Sequence, residues 1–291
     1  MNLILQGNGA ILLAALLWST GGLFIKMAPL SGPLVCFGRA VITSLFYLIV
    51  LRPNLRRASW PTALAYAGMI TSFVVSVKLT TAANAILLQY TGTAWMIALA
   101  PRVLGEPIQA VDLWAGLACL LGMFLCLGTG LDWQAGLHGD ALPGNLLAAF
   151  SGFCYAGAVL GMRRDARHGK HGDAQASVTL GNLLAMVFSL ALVREPMIHL
   201  AQPRAIFALL WLGIVQMALA YLLFLRGLRT VSAATAGLLA LLEPAATPIW
   251  VWMGIGEKPG IGSILGGSLV LVALGARAWW LGQPRQGSLE A

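Results

Sequence analysis

Charge is what this chain has least of. Asp and Glu number 10 and Lys and Arg 18, so charged residues make up 10% of the 291 positions, against roughly 25% in an ordinary soluble domain. So few charges cannot cover the surface of a water-soluble fold of this size, and the large apolar patches left over would drive aggregation. Intrinsic disorder is excluded from the other side: disordered chains are poor in apolar residues, and here 59% are apolar. The expected medium is lipid.

Other absences narrow the function. The 4 cysteines, Cys36, Cys119, Cys126 and Cys154, all fall inside apolar runs and form no Cys-x-x-Cys, and the 4 histidines lie mostly in polar connections. No metal site is indicated. There is no P-loop and hence no built-in ATPase, and no His-Glu-x-x-His, Gly-x-Ser-x-Gly or pair of intramembrane aspartates. A catalytic role and a cofactor are therefore not expected, and an integral-membrane enzyme or a signalling scaffold is the weaker reading. The net charge of +8 does not point to nucleic acid, because the basic residues are scattered between apolar runs and suit the role of setting membrane orientation. Met1 to Asn8 contains no Lys or Arg, so the positive n-region of a cleavable signal peptide is missing and the first apolar run is expected to stay. The polar tail 283–291 is set aside, as expected to include an appended remnant.

What the chain does have is long apolar runs. A hydrocarbon core about 30 Å thick takes ~20 helical residues, and ten stretches fit: 9–27, 33–51, 61–79, 81–103, 110–128, 141–162, 174–193, 205–226, 231–253 and 260–281. Each run is continuously apolar and not alternating, which predicts helices and not barrel strands. With the N-terminus placed inside, the inner side holds twelve basic residues: Arg52, Arg56, Arg57, Arg102, Arg163, Arg164, Arg167, Lys170, Arg226, Arg229, Arg277 and Arg285. The outer side holds five, Lys26, Lys78, Arg194, Arg204 and Lys258. That bias predicts a multi-pass membrane protein with both termini in the cytoplasm.

The chain also repeats itself. Shifted by 151 residues, 82–106 aligns with 233–257 without a gap, and Gly105-Glu106 falls on Gly256-Glu257. Alanine and leucine matches are cheap in membrane helices; the paired Gly-Glu ending equivalent spans is not. Two halves, 1–135 and 136–282, would each carry five spans. Five is odd, so the second half must enter from the opposite face, the inverted arrangement that secondary transporters use. The expected fold is thus all-α and integral to the membrane, with ten transmembrane helices as a 5+5 inverted-topology repeat.

Several polar residues lie too deep to be ordinary. Glu243 falls near mid-span, where an ionised acid costs about 2.5–3.5 kcal/mol on insertion scales. Pro244 follows it and Pro248 comes one turn later, so the carbonyls of Ala240 and Pro244 lose their helical donors. Such an acid could hold an ammonium, a cation or a proton, or could merely lock the kink. Pro101 marks a further kink near the end of the fourth span. Arg39, ~9 Å into the second span, either presents its two-pronged donor to a substrate carboxylate or pairs with Glu243. Lys78 closes the third span, snorkelling to water or touching substrate. Trp18, Tyr90, Trp95 and Tyr155 are mid-span aromatics, suited to a wet cavity that takes apolar or aromatic substrates or else to helix packing. Tyr90 and Trp95 are ~140° apart on a helix, so at most one should face a narrow site. Gln89, Asn182 and Gln216 read as interhelical glue, with contact to a ligand as the alternative. Trp60, Trp114, Trp133, Trp279 and Trp280 suit interfacial belts, and Glu106 and Glu257 suit caps of helix ends. The pairs Gly157/Gly161 and Gly262/Gly266 suit packing within one chain, so a monomer is expected.

These features together resemble the drug/metabolite transporter superfamily and, within it, the EamA-type ten-helix members. The features that carry the resemblance are Trp18 in LLAALLWSTGGLFIK, Arg39 in the second span, LLEPAATPIWVWMGIGE at 241–257 and its Gly-Glu echo at 105–106. Bacterial amino acid exporters of the YddG kind are the nearest likeness in size and texture. The resemblance implies export of small metabolites, neutral or aromatic amino acids first, by alternating access through a central cavity, with a drug or nucleoside exporter as the alternative. The first repeat has Thr93 where the second has Pro244, so the two kinks need not be equivalent.

Overall fold

The computed structural model describes residues 3–80, 82–128, 142–167, 173–256 and 260–282. Trp133, Lys170, Arg285, Glu257, Lys258 and the histidines of 168–171 lie outside them, as do the side chains of Lys26 and Cys126. Among the described residues there is no strand. The helices are α1 (Leu3–Ser19), α2 (Gly21–Met27), α3 (Gly32–Phe46), α4 (Trp60–Leu79), α5 (Ala82–Leu104), α6 (Ala110–Gly128), α7 (Leu142–Arg167), α8 (Asp173–Leu192), α9 (Pro203–Leu210), α10 (Ala220–Gly227), α11 (Ala233–Ala240), α12 (Leu242–Ile255) and α13 (Ile261–Gly282).

They make ten passes, four of them compound. The first is α1 with α2, the second is α3 continued by a π-helical stretch Tyr47–Leu51, the eighth is α9 and α10 joined by a π-helical stretch Trp211–Leu219, and the ninth is α11 with α12. Seven of the passes are long and apolar enough to cross a membrane by length and composition; the fifth and tenth have shorter apolar cores, Ala110–Leu125 and Ile264–Arg277, and the fourth, α5, is 23 residues long. Large apolar side chains such as Leu117, Leu121, Ile264, Leu271 and Val272 stand exposed around the outside, where hydrocarbon and not water must meet them. Trp60, Trp114, Trp279 and Trp280 are exposed close to helix ends.

Helix packing repeats when passes one to five are exchanged with six to ten. The third pass packs on the sixth as the eighth packs on the first, the fourth on the sixth as the ninth on the first, and the third on the seventh as the eighth on the second. The pairs second–seventh, fourth–ninth and fifth–tenth map onto themselves. Glycine lets backbones meet: a Cβ on Gly152 would lie 2.7 and 2.8 Å from the carbonyl oxygens of Gln89 and Leu88, and one on Gly122 would lie 2.7 Å from that of Gly266. Small residues at such crossings are the usual device of membrane bundles.

The breaks have local causes. In the first pass the hydroxyls of Ser19 and Thr20 bond back to the carbonyls of Leu16 and Leu17 at 2.6 and 2.7 Å, competing with the helix ladder just before Gly21-Gly22. In the ninth, Pro244 cannot donate to Ala240 and its ring crowds that carbonyl, so α11 ends at Ala240 and α12 starts at Leu242. Helix α5, with Thr93 at the equivalent place, runs unbroken past it and through Pro101 to Leu104, and α12 continues through Pro248.

Candidate functional site

The first, second, third, fourth, sixth, eighth and ninth passes meet around one hollow of about 60 Å³, lined by Trp18, Arg39, Met69, Ile70, Phe73, Gln89, Tyr90, Tyr155, Gln216, Met217, Tyr221 and Glu243. A cavity needs roughly 10–15 Å³ per water, so it has room for several. Its lining is polar where it matters. Nine buried side-chain N or O atoms lack a hydrogen-bond partner among the described residues, and four of the nine belong to this wall: Trp18 Nε1, Arg39 Nε, Tyr155 Oη and Gln216 Oε1. Buried polar atoms are normally satisfied; four orphans around one hollow mark the place where water or a ligand completes them.

Arg39 is 3% exposed on α3, and among the described residues it forms no ion pair with any carboxylate. The alternative of a salt bridge to Glu243 therefore does not hold in this structure: both side chains face the same hollow without pairing. Glu243 opens the first turn of α12, and its Oε2 lies 2.7 Å from the hydroxyl of Tyr90, which is also 3.1 Å from the Ala240 carbonyl. That carbonyl is one that Pro244 deprives of a donor, so a tyrosine from the fourth pass fills the vacancy in the ninth. Thr247, one turn on, spans to the break in the first pass through the Ser19 carbonyl at 3.2 Å, and Trp250 Nε1 donates to Ser19 Oγ at 2.7 Å.

The aromatic rings at the hollow pack in two groups. Trp18 packs on Tyr221 at 4.9 Å between ring centroids, Tyr221 on Tyr66 at 4.9 Å, and Tyr90 on Tyr155 at 6.0 Å, all tilted or edge-on. Tilted and edge-on contacts are the preferred geometry of ring pairs.

The eighth pass owes its shape to the second. Thr43 Oγ1 donates to the Gly213 carbonyl at 2.9 Å and Tyr47 Oη to the Ala218 carbonyl at 3.0 Å, so two residues one turn apart on the second pass satisfy carbonyls of the π-helical stretch. Gly213 admits the second pass closely, since a Cβ there would lie 2.6 Å from Ile42 Cγ2. Widening the turn to i→i+5 bonding changes which side chains share a face. Gln216 and Tyr221, ~140° apart on a regular helix, both line the hollow.

Five of the residues singled out in the sequence thus come together, Trp18, Arg39, Tyr90, Tyr155 and Glu243. Two do not. Lys78 is exposed at the end of α4, its stem laid over Gly32, where a Cβ would lie 2.9 Å from Lys78 Cγ. Trp95 is 48% exposed on the outer face, edge-on to Phe153 at 6.0 Å; Tyr90 takes the inward position that their separation denies to Trp95. Gln89 lines the hollow while bonding Ser151 Oγ at 2.9 Å, and Asn182 sits away from it on Tyr66 Oη at 3.1 Å. Sequence reasoning passed over Tyr221, along with the apolar lining residues Met69, Ile70, Phe73 and Met217. The sequence signal for Tyr221 is its place within a span, as for Tyr90 and Tyr155, and the π-helical stretch that turns it inward leaves no mark in the apolar pattern.

Residues 5–128 and 142–276 match the model of the EamA-like transporter family. The chain belongs to that family. A protein of Archaeoglobus fulgidus, described as an uncharacterized transporter, is 26% identical over 280 residues, covering 92% of this chain and 94% of its own. The backbone also superposes on a crystal structure of a protein 20% identical in sequence, with a TM-score of 0.73 over 94% of this chain and 96% of that one. This EamA-like chain is therefore a transporter of the drug/metabolite transporter superfamily, multi-pass in the membrane and not an enzyme, and its partners are the bilayer and a small-molecule substrate.

Proposed function

We propose that the protein exports small zwitterionic metabolites, neutral and aromatic amino acids foremost as in exporters of the YddG kind, across a bacterial inner membrane by alternating access. One observation carries this reading. A guanidinium with no acid partner among the described residues, Arg39, and a carboxylate, Glu243, face one wet hollow walled by aromatic rings. A zwitterion supplies a carboxylate for the planar fork of Arg39 and an ammonium for Glu243, so each buried charge gains the partner it lacks, and an apolar or aromatic side chain lies against Trp18, Tyr90, Tyr155 and Tyr221. The hollow lies within one chain, so a monomer suffices. The exchange pattern of helix contacts supports two inverted five-pass repeats, 1–135 and 136–282, whose alternate closure opens the hollow to one face and then the other. Both termini are cytoplasmic in this reading. Pro244 keeps the ninth pass divided so that its halves can move separately, while Pro248 weakens α12 without breaking it and Pro101 loosens the end of the fourth.

Counterflow of radiolabelled amino acids into proteoliposomes tests it. The expected result is saturable flux of at least one neutral or aromatic amino acid above empty vesicles; no flux for any of the twenty would falsify the substrate class.

A further inference from the structure

The orphaned atoms of the hollow differ in kind. Trp18 Nε1 and Arg39 Nε can only donate, and the Tyr155 hydroxyl can do either. Gln216 Oε1 can only accept, and it is buried within a side chain 8% exposed. A second acceptor on the wall, the Glu243 carboxylate, already has one oxygen engaged by Tyr90. A bound molecule that only accepted hydrogen bonds would satisfy Trp18 and Arg39 and leave Gln216 unpaired in the bundle. A bound molecule that also carries several donors on one nitrogen, as an ammonium does, can reach both acceptors.

We propose that the Gln216 amide oxygen is a specificity-determining acceptor that reads the substrate's ammonium N–H, and that Gly21 is the positioning residue that gives the amide its place. Two separate features put the amide there. The π-helical stretch Trp211–Leu219 turns Gln216 into the hollow. The break in the first pass brings Gly21 so close that an added Cβ would lie 2.9 Å from Gln216 Nε2. Trp211 Nε1, donating to Thr20 Oγ1 at 3.0 Å, pins the start of the same stretch against that break. Gly21 therefore has a reason to be glycine beyond breaking the helix: a methyl group there would push the amide off its position. Specificity follows from the cost of an unpaired buried acceptor. A carboxylic acid lacking the amino group leaves Gln216 Oε1 unpaired, the kind of mismatch that discriminates far more strongly than a missing methylene.

The inference rests on the amino acid reading, and the experiment separates the two. In proteoliposomes the wild type is offered each labelled amino acid, and whichever moves fastest is compared with its deamino carboxylic acid. The wild type is expected to prefer the amino acid. Gln216→Met, which keeps length and removes the acceptor, is expected to raise KM for the amino acid about tenfold, with kcat within about twofold and the deamino acid unaffected. Gly21→Ala is expected to shift the same preference in the same direction by a smaller factor. In the double variant the effect is expected to equal that of Gln216→Met alone, because both act on one amide. Unchanged selectivity in Gln216→Met, or simple additivity in the double variant, overturns the inference and leaves the transporter reading standing. If Gln216→Met does not fold, Gly21→Ala decides on its own, and unchanged selectivity there counts against the proposal. A wild type that moves no amino acid overturns both.

Discussion

Glu243 and Arg39 are the two residues whose chemistry is hardest to explain by packing. Replacing Glu243 by Gln keeps the shape and the contact with Tyr90 but removes the charge. We predict that flux falls at least tenfold while membrane insertion and the thermal midpoint stay near wild type; normal flux would reduce Glu243 to a kink lock. Arg39→Lys retains charge and loses the planar fork, a non-conservative change at a bidentate site. The expected outcome is weaker substrate binding, seen in KM, with little loss of stability, since among the described residues no carboxylate pairs with this guanidinium.

A different residue answers to pH. Glu195, between α8 and α9, accepts from the Ser31 backbone N–H at 2.8 Å at the start of α3, and its other oxygen lies 3.5 Å from His199 Nδ1. Burial pushes the carboxyl up, but hydrogen bonds from Ser31 and His199 and the His199 charge outweigh that and hold it below the ordinary 4.5. A carboxyl held low in the fold stabilises it fully above the unfolded value and ceases to do so as pH falls through the lowered one. Glu195→Gln should therefore melt below wild type at neutral pH, and the gap should close only below about pH 4.5. A gap that is constant down to pH 3 would show that the carboxylate charge does not matter.

At the scale of helices, the closest approaches have no slack. Gly152 meets the fourth pass backbone to backbone, and main-chain carbonyls cannot swing aside as a side-chain tip can. Gly152→Val should cost several kcal/mol by overpacking and read as a large drop in the thermal midpoint, whereas Gly9→Val, with nothing within 4 Å of its Cβ position, should leave the packing undisturbed. Helix rotation is also decided at this scale. On regular α5 the spacing of Tyr90 and Trp95 sends one inward and the other to the lipid side, as a 3.6-residue period requires. On the eighth pass the same spacing fails for Gln216 and Tyr221, because hydrogen bonds from Thr43 and Tyr47 stabilise a wider turn. Lys78 shows the same limit in another form: its distance along the chain says how deep it lies but not which way a long stem folds.

Across the whole molecule, buried charge pairs gather at the end that holds both terminal helix ends. Glu106 Oε1 pairs with Arg163 at 2.7 Å while its Oε2 accepts from the Ala233 N–H at 2.9 Å. Asp112 pairs with Arg277 at 2.6 Å, and the same guanidinium donates to Thr235. Glu106 thus caps a helix, as its place suggested, but the helix is α11, at the start of the ninth pass. Both clusters converge on the start of the ninth pass, binding the fourth, fifth, sixth, ninth and tenth together at one face. Arg277→Met strands a buried Asp112 and should cost about 3–5 kcal/mol, while the double change with Asp112→Leu should recover most of it; denaturation midpoints of the three variants check this.

Composition alone set the medium, because so little charge is tolerable only where lipid covers the surface. The length of the apolar runs set the ten passes, since bilayer thickness fixes helix length. The presence of Glu243 and Arg39 at depth was equally visible, because any ionisable group there stands out against its neighbours. Which mid-span residues share a hollow was not visible. That depends on how far each helix is rotated and where its turns widen or break, and those are fixed by contacts from other helices: Tyr47 on Ala218, Thr43 on Gly213, Tyr90 on Ala240. Gln216 and Tyr221 face inward and Lys78 and Trp95 do not for reasons that exist only once the bundle is assembled.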